Sequence, residues 1–178
     1  MLAIELAKRG KRVYAVDYSE GMLKKAKEKI DTTESKIKNR ISTHLEDITN
    51  LDFNDGMFDG VACINVLFFL KNPYATMKKA YKVLTRNGIF VLSSLKPGLN
   101  TRGKTEEQIA EECKGKGIDT SLLEKALVYK TTLQEKKGIT YTPAKTELEE
   151  TVKRMGFKIN LFEDIYGGDR YFVKLVKR

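Results

Sequence analysis

Three polar side chains stand where apolar runs end, and the type and place of one of them, Asp17, suit a hydroxyl-bearing ligand. Asp17 follows the run Val13-Tyr14-Ala15-Val16, the pair Glu46-Asp47 closes Ile41–Leu45, and Asn65 interrupts the run Phe58–Val66 near its end. A carboxylate at the carboxyl end of a parallel strand lies in the crevice where open α/β sheets bind ligands. There its oxygens can accept both hydroxyls of a ribose. Each residue also has a plainer reading. Asp17 suits the start of a following helix, whose dipole favours an acid. Asp47 suits a turn, and Asn65 can simply terminate a strand. Other chemistry is sparse: His44 is the lone histidine and reads as structural, while Cys63 and Cys113 lie far apart without CxxC spacing. No metal site and no disulfide framework is expected from such a pattern.

The elements that must position these residues follow from periodicity. Leu2, Ala3, Leu6 and Ala7 recur at helical spacing, with Gly10 as the stop. Val13–Val16 reads as a buried strand ending at Asp17. Ser19 caps a helix with Met22, Leu23, Ala26 and Ile30 facing inward, so that Met22 is expected in the core. After a polar loop, Ile41–Leu45 and Phe58–Val66 read as strands, the second so continuously apolar that it fits a parallel sheet covered on both faces. Asn72 and Pro73 start a helix that Gly88 stops, and Ile89–Leu92 is the next strand. The order is that of an α/β chain. Pro97-Gly98 opens a different region, about 96–143, with helices expected near Glu106–Lys114 and Ser121–Val128. A helix over Lys145–Met155, a stop at Gly156, and strands over Phe157–Ile165 and Tyr171–Val176 around the turn Tyr166–Asp169 complete the chain. Gly167-Gly168 between two such runs signals an antiparallel hairpin.

Length and composition bound the rest. A chain of 178 residues, 41% hydrophobic, suits a single domain with a real core. The net charge is +9, but the lysines are scattered over several segments, which fits a solvated surface rather than a nucleic-acid partner. The longest apolar run, Val61–Leu70, falls short of the roughly 20 residues of a membrane span, and no signal peptide is legible, so no membrane association is expected. Two cysteines without a disulfide pattern point to the reducing cytoplasm.

The order of elements resembles the class I S-adenosylmethionine-dependent methyltransferases, in their small-molecule-type branch. It is carried by VYAVDYSEGML at 13–23, HLEDITNL at 44–51, FDGVACINVLFFL at 58–70, and the Gly-Phe strand, Gly-Gly, strand ending from Gly156. The resemblance implies a Rossmann-like, doubly wound, mostly parallel sheet with a C-terminal antiparallel hairpin. It implies S-adenosylmethionine as cofactor and S-adenosylhomocysteine as product. Asp17, with Tyr18 beside it, would take the ribose, and Met22 would pack on the adenine. Asp47 would take the adenine amino group and the Ile48 N–H a ring nitrogen. Asn65 and Val66 would meet the methionine end. Phe68, Tyr129 and Tyr141 are candidates for the pocket of a small-molecule acceptor, which the segment at about 96–143 would cover. The catalytic residues stay unassigned, since transfer from a sulfonium needs alignment more than a dedicated base. Methyltransferases acting on nucleobase or glutamine amino groups carry an Asn/Asp-Pro-Pro-aromatic tetrapeptide after the strand that ends at Asn65. Here that slot reads Asn65-Val66-Leu67-Phe68, and Asn72-Pro73-Tyr74 lies seven residues later.

One departure stands out. The family's first strand and Gly-x-Gly-x-Gly loop would precede the helix beginning at Met1, and Gly10, Gly21 and Gly60 are not placed to replace that loop. The sequence is therefore expected to be N-terminally truncated, through a misassigned start or as a piece of a longer polypeptide. If complete, it would be less stable or form homo-oligomers, and bind its cofactor weakly. Two other readings stay open: a non-catalytic relic acting through protein contacts, and part of a nicotinamide-dependent oxidoreductase, which also places an acid after its second strand.

Overall fold

The computed structural model describes residues 1–96, 111, 114–115, 143–165 and 170–178. Chain contacts divide it into two compact units, Met1–Phe53 and Asn54–Arg178.

In the first unit, α1 (Leu2–Lys8) leads into β1 (Val13–Asp17), α2 (Glu20–Asp31), a short α3 (Ser35–Lys38) and β2 (Ile41–Leu45). The two strands are parallel, in register from Val13 opposite Ile41 to Asp17 opposite Leu45. Ser19 caps α2 as expected, its hydroxyl accepting the Met22 N–H at 3.3 Å. Leu23 and Ile30 are buried from α2, Ala3 and Ala7 from α1, and Ile37 from α3. Three expectations need correction. Met22 is not a core residue but is 52% exposed, because on the helical period it lies off the stripe set by Leu23 and Ile30. Tyr14 of β1 is exposed too, stacked on His44 with ring centroids 5.4 Å apart. The polar stretch after α2 contains α3, held because Ile37 gives it an apolar side chain to bury.

The second unit holds β3 (Phe58–Ile64), a 3-10 turn (Leu67–Phe69), α4 (Pro73–Val83), β4 (Leu84–Leu95), α5 (Lys145–Arg154), β5 (Phe157–Ile165) and β6 (Arg170–Lys177). The sheet order is β3-β4-β6-β5, with β3 and β4 parallel and β6 antiparallel to both its neighbours. The mixed α/β class and the closing antiparallel pair are therefore as the sequence implies. Residues 97–110, 112–113, 116–142 and 166–169 lie outside the described residues, and with them most of the region at about 96–143 and the turn expected at Tyr166–Asp169. Alternation on β6 buries Tyr171, Val173 and Leu175, which stand opposite Ser94, Leu92 and Phe90 of β4. Met77 and Ala80 of α4 and Leu148 and Val152 of α5 add to the buried apolar set.

The helix α4 stops at Val83, not at Gly88, and β4 starts at Leu84, which is buried and pairs with Phe58. The ladder then skips from Leu84 to Ile89 while β3 advances only from Phe58 to Gly60. This bulge uses a left-handed Asn87 (φ 62°) and a Gly88 whose added Cβ would stand 2.8 Å from the Thr85 carbonyl oxygen. The end of α4 is held by Lys177, which donates to the Leu84 carbonyl at 2.7 Å and lies 4.7 Å from the Tyr81 ring centre. Gly156 (φ 97°) ends the α5 segment as expected, and a Cβ there would fall 2.6 Å from the Tyr81 hydroxyl.

Strand β3 is less covered than its apolar run implies: Ala62 and Ile64 are exposed, and Cys63 is its one buried residue. Within its own sheet it is an edge, paired with β4 alone. Burial pushes the Cys63 thiol from 9.0 up to about 12. A raised pKa favours the protonated folded state, so this contribution is fully present below about pH 9 and is lost as pH rises towards 12. In a Cys113→Ser background, Cys63 should resist a thiol-selective reagent at pH 8 and react within seconds once guanidinium unfolds the chain. Rapid labelling of the folded protein would contradict this burial.

Candidate functional site

The first unit brings two of the predicted residues together. Register places Asp17 and Leu45 side by side at the carboxyl ends of β1 and β2, and the Glu46 N–H donates to the Asp17 carbonyl at 3.2 Å. Asp17 and the Glu46-Asp47 pair thus leave adjacent parallel strand tips. One carboxylate oxygen of Asp17 accepts the Ser19 N–H at 2.9 Å, which fixes the side chain in the turn before α2. The second oxygen has no partner among the described residues. The carboxylate is half-buried. It is an oriented acceptor, with capacity to spare among the described residues.

Asp47 is exposed, and its Oδ1 accepts both the N–H and the hydroxyl of Thr49 at 2.8 Å, while its carbonyl accepts the Asn50 N–H at 2.8 Å. The turn-forming reading of Asp47 is therefore realised. Ile48 between them is half-buried, and its N–H has no partner among the described residues. Tyr18 (63% exposed) follows Asp17, and the exposed Met22 stands in the first turn of α2. An apolar thioether in that place offers contact surface without a polar demand.

The second unit positions Asn65. The residue ends β3 in a left-handed conformation, φ 59°, which Asn tolerates better than most residues. Its N–H donates to the Ser93 hydroxyl oxygen at 2.9 Å, and that hydroxyl donates to Asn65 Oδ1 at 3.0 Å. Arg170 donates to the same Oδ1 through Nη1. Val66 is half-buried, and Phe68 is 3% exposed with its ring centre 4.4 Å from that of Phe69, so as placed Phe68 is a packing residue. Asn72 accepts the Ala75 N–H at 3.0 Å and Pro73 fills the first helical position, so Asn72-Pro73-Tyr74 works as a helix start. Tyr129 and Tyr141 lie outside the described residues. Ser93 and Arg170 were not singled out by the sequence. Their signals were a Ser93-Ser94 pair inside an apolar strand and a basic residue directly after the Gly-Gly turn.

Among the described residues no cluster of His, Cys, Asp or Glu could hold a metal ion, and no helix is long and apolar enough to cross a membrane.

A family model described as "Methyltransferase domain" matches residues 1–92, just over half of the chain. The biotin biosynthesis bifunctional protein BioHC of Teredinibacter turnerae is 36% identical over 86 residues, which is 48% of this chain and 15% of that protein. The chain thus spans only a small part of this curated relative. Among solved structures, magnesium protoporphyrin IX methyltransferase (ChlM) from Synechocystis PCC 6803 with bound SAH superposes with a TM-score of 0.66 at 19% identity, over 99% of this chain and 69% of that one. The [4+2]-cyclase SpnF gives a TM-score of 0.66 at 12% identity, over 98% of this chain and 69% of that one. At such identities the likeness is one of fold.

Proposed function

We infer, since the chain belongs to the methyltransferase domain family, that it serves S-adenosylmethionine-dependent transfer of a methyl group to a small-molecule acceptor. The observation that carries this reading is Asp17: a half-buried carboxylate at a parallel strand tip, oriented by the Ser19 N–H and with one oxygen left to accept hydroxyls.

The residues present suit the chemistry of an adenosyl group. Asp17 supplies acceptor capacity for a ribose diol, and Tyr18 follows it. The Ile48 N–H, without a partner among the described residues, is a donor for a ring nitrogen, and the exposed Met22 is an apolar surface for the base. Asp47 would meet the adenine amino group from the same turn. Asn65 and Val66 would serve the methionine end. When bound, S-adenosylmethionine supplies a methyl group on a sulfonium that is already electrophilic. The work left to the protein is to orient that group against the acceptor and keep water out, which is worth more here than a dedicated base. An acceptor nucleophile held there would take the methyl group as the carbon–sulfur bond breaks, leaving S-adenosylhomocysteine, and its proton would pass to solvent or a nearby base.

A small-molecule acceptor is supported by what stands after β3. The Asn72-Pro73-Tyr74 sequence is used to start α4, and the slot after β3 reads Asn65-Val66-Leu67-Phe68, which is unlike the tetrapeptide that grips nucleobase amino groups. The segment at about 96–143, with Tyr129 and Tyr141, is proposed to cover the acceptor. BioHC is named for biotin biosynthesis and ChlM for a porphyrin methylation. The second name fits an acceptor that is a small molecule.

Differential scanning fluorimetry of the chain with S-adenosylhomocysteine and, separately, with NADH tests the reading. Binding to the folded state alone raises stability by mass action, so at one hundred times the dissociation constant about 2.7 kcal/mol is expected with S-adenosylhomocysteine. Stabilisation by NADH alone would overturn methyl transfer in favour of hydride transfer.

A further inference from the structure

Asn65 is held by more of the sheet than a strand terminus requires. Its amide oxygen receives a hydroxyl from β4, through Ser93, and a guanidinium from the first residue of β6, Arg170, 105 positions later in the chain. Arginine has donors and no acceptor, so the side-chain atom facing it must be the oxygen of the amide, which settles the orientation of the group. Both acceptor positions of Oδ1 are then filled. The backbone N–H is also taken, by Ser93. What Asn65 has left is its NH2, which has no partner among the described residues.

We propose that Arg170 and Ser93 are positioning residues, which hold Asn65 with its amide oxygen turned inward so that it meets a bound ligand only as a hydrogen-bond donor. A donor fixed in this way accepts a carboxylate and repels the geometry of an ammonium, whose own N–H groups would find no acceptor there. Resting on the adenosylmethionine reading, the group it takes is the carboxylate of the methionine end. The left-handed backbone of Asn65 is part of the same device. It turns the chain away from the strand, and the Ser93 hydroxyl satisfies the N–H that the turn takes out of the ladder.

Calorimetric titration with S-adenosylhomocysteine and with methylthioadenosine, which keeps the adenosyl group and lacks the amino-acid carboxylate, separates this role from general stability. Arg170→Met and Asn65→Ala are expected to weaken S-adenosylhomocysteine about tenfold while leaving methylthioadenosine within about twofold. Arg170→Lys, which keeps a cationic donor, should recover most of the loss. Equal losses for both ligands, or an unchanged affinity in Arg170→Met, overturn the proposal. A second measurement needs no cofactor: the Asn65 side-chain amide in a proton–nitrogen correlation spectrum, assigned by its loss in Asn65→Ala. Its two peaks should move in Arg170→Met and Ser93→Ala and return towards their place in Arg170→Lys. Peaks that stay fixed in Arg170→Met refute the positioning. Failure of the unaltered chain to bind either ligand sinks the cofactor reading instead, and the amide spectrum still decides the positioning.

Discussion

Replacing Asp17 by alanine should lower the affinity for S-adenosylhomocysteine by about two orders of magnitude, since two hydrogen bonds from ligand hydroxyls to a charged acceptor are lost together. Asp17→Asn separates the ligand role from the local one. The asparagine oxygen can still accept the Ser19 N–H that orients the turn before α2, so folding should be preserved. The charge is gone, however, and one acceptor oxygen has become a donor. About a tenfold loss is expected, and because it falls on the ribose it should be equal for S-adenosylhomocysteine and methylthioadenosine. That pattern differs from the one expected at Arg170, where only the ligand with a carboxylate responds. An Asp17→Asn chain that binds as tightly as the unaltered one would reduce Asp17 to a turn residue.

The largest effect on stability is expected at Phe90. Its side chain is fully buried on β4, opposite Leu175 of β6, with its ring centre 5.8 Å from that of Phe157 on β5. It therefore joins three strands of one sheet through a single ring. Phe90→Ala removes its transfer free energy and leaves a cavity that the flanking strands cannot close without breaking their ladders, at a cost of about 3–5 kcal/mol. Denaturant unfolding followed by circular dichroism would read this as a lower midpoint. Leu45→Ala, on an exposed side chain at the tip of β2, should stay within about 0.5 kcal/mol. Comparable losses at both positions would mean that the core of the second unit does not lie where these contacts put it.

Much of this architecture could be read from the residues. Ser19 and Asn72 announced helix starts because a short polar side chain before an apolar stripe has one economical use, and both accept the N–H expected of them. Gly10 and Gly156 announced helix ends, and both have positive φ. The α/β class and the antiparallel ending followed from period and from the Gly-Gly turn. The misses have a common cause, which is that tertiary pairing overrides local pattern. Helical spacing continued to Gly88, yet Leu84 had a strand partner in Phe58, and the ladder prevailed. The apolar run of β3 implied cover on both faces, but a run of this kind does not say how many neighbours its strand has in its own sheet. Met22 was assigned to the core because it is apolar and spaced i, i+4, i+8 with Ala26 and Ile30, yet the stripe centres on Leu23 and Ile30 and leaves it at the margin.

The candidate site was legible in part for a related reason. Asp17 and Asn65 break apolar runs at their ends, and such breaks are visible in one dimension. Asp47 was visible too, though what the structure shows of it is a turn closed on Thr49. Ser93 and Arg170 matter only through a partner far away in the chain, and no spacing rule connects positions 65, 93 and 170.

The direction of β6 has a consequence for how this protein can vary. A final strand inserted against the run of its neighbour β4 returns its first residue, not its last, to the end where β3 and β4 finish. Whatever length or composition the segment before Arg170 acquires, the start of β6 stays beside Asn65. Changes in that segment therefore leave the Arg170–Asn65 contact in place, and homologues that differ there should differ in what surrounds Asn65 before they differ in stability.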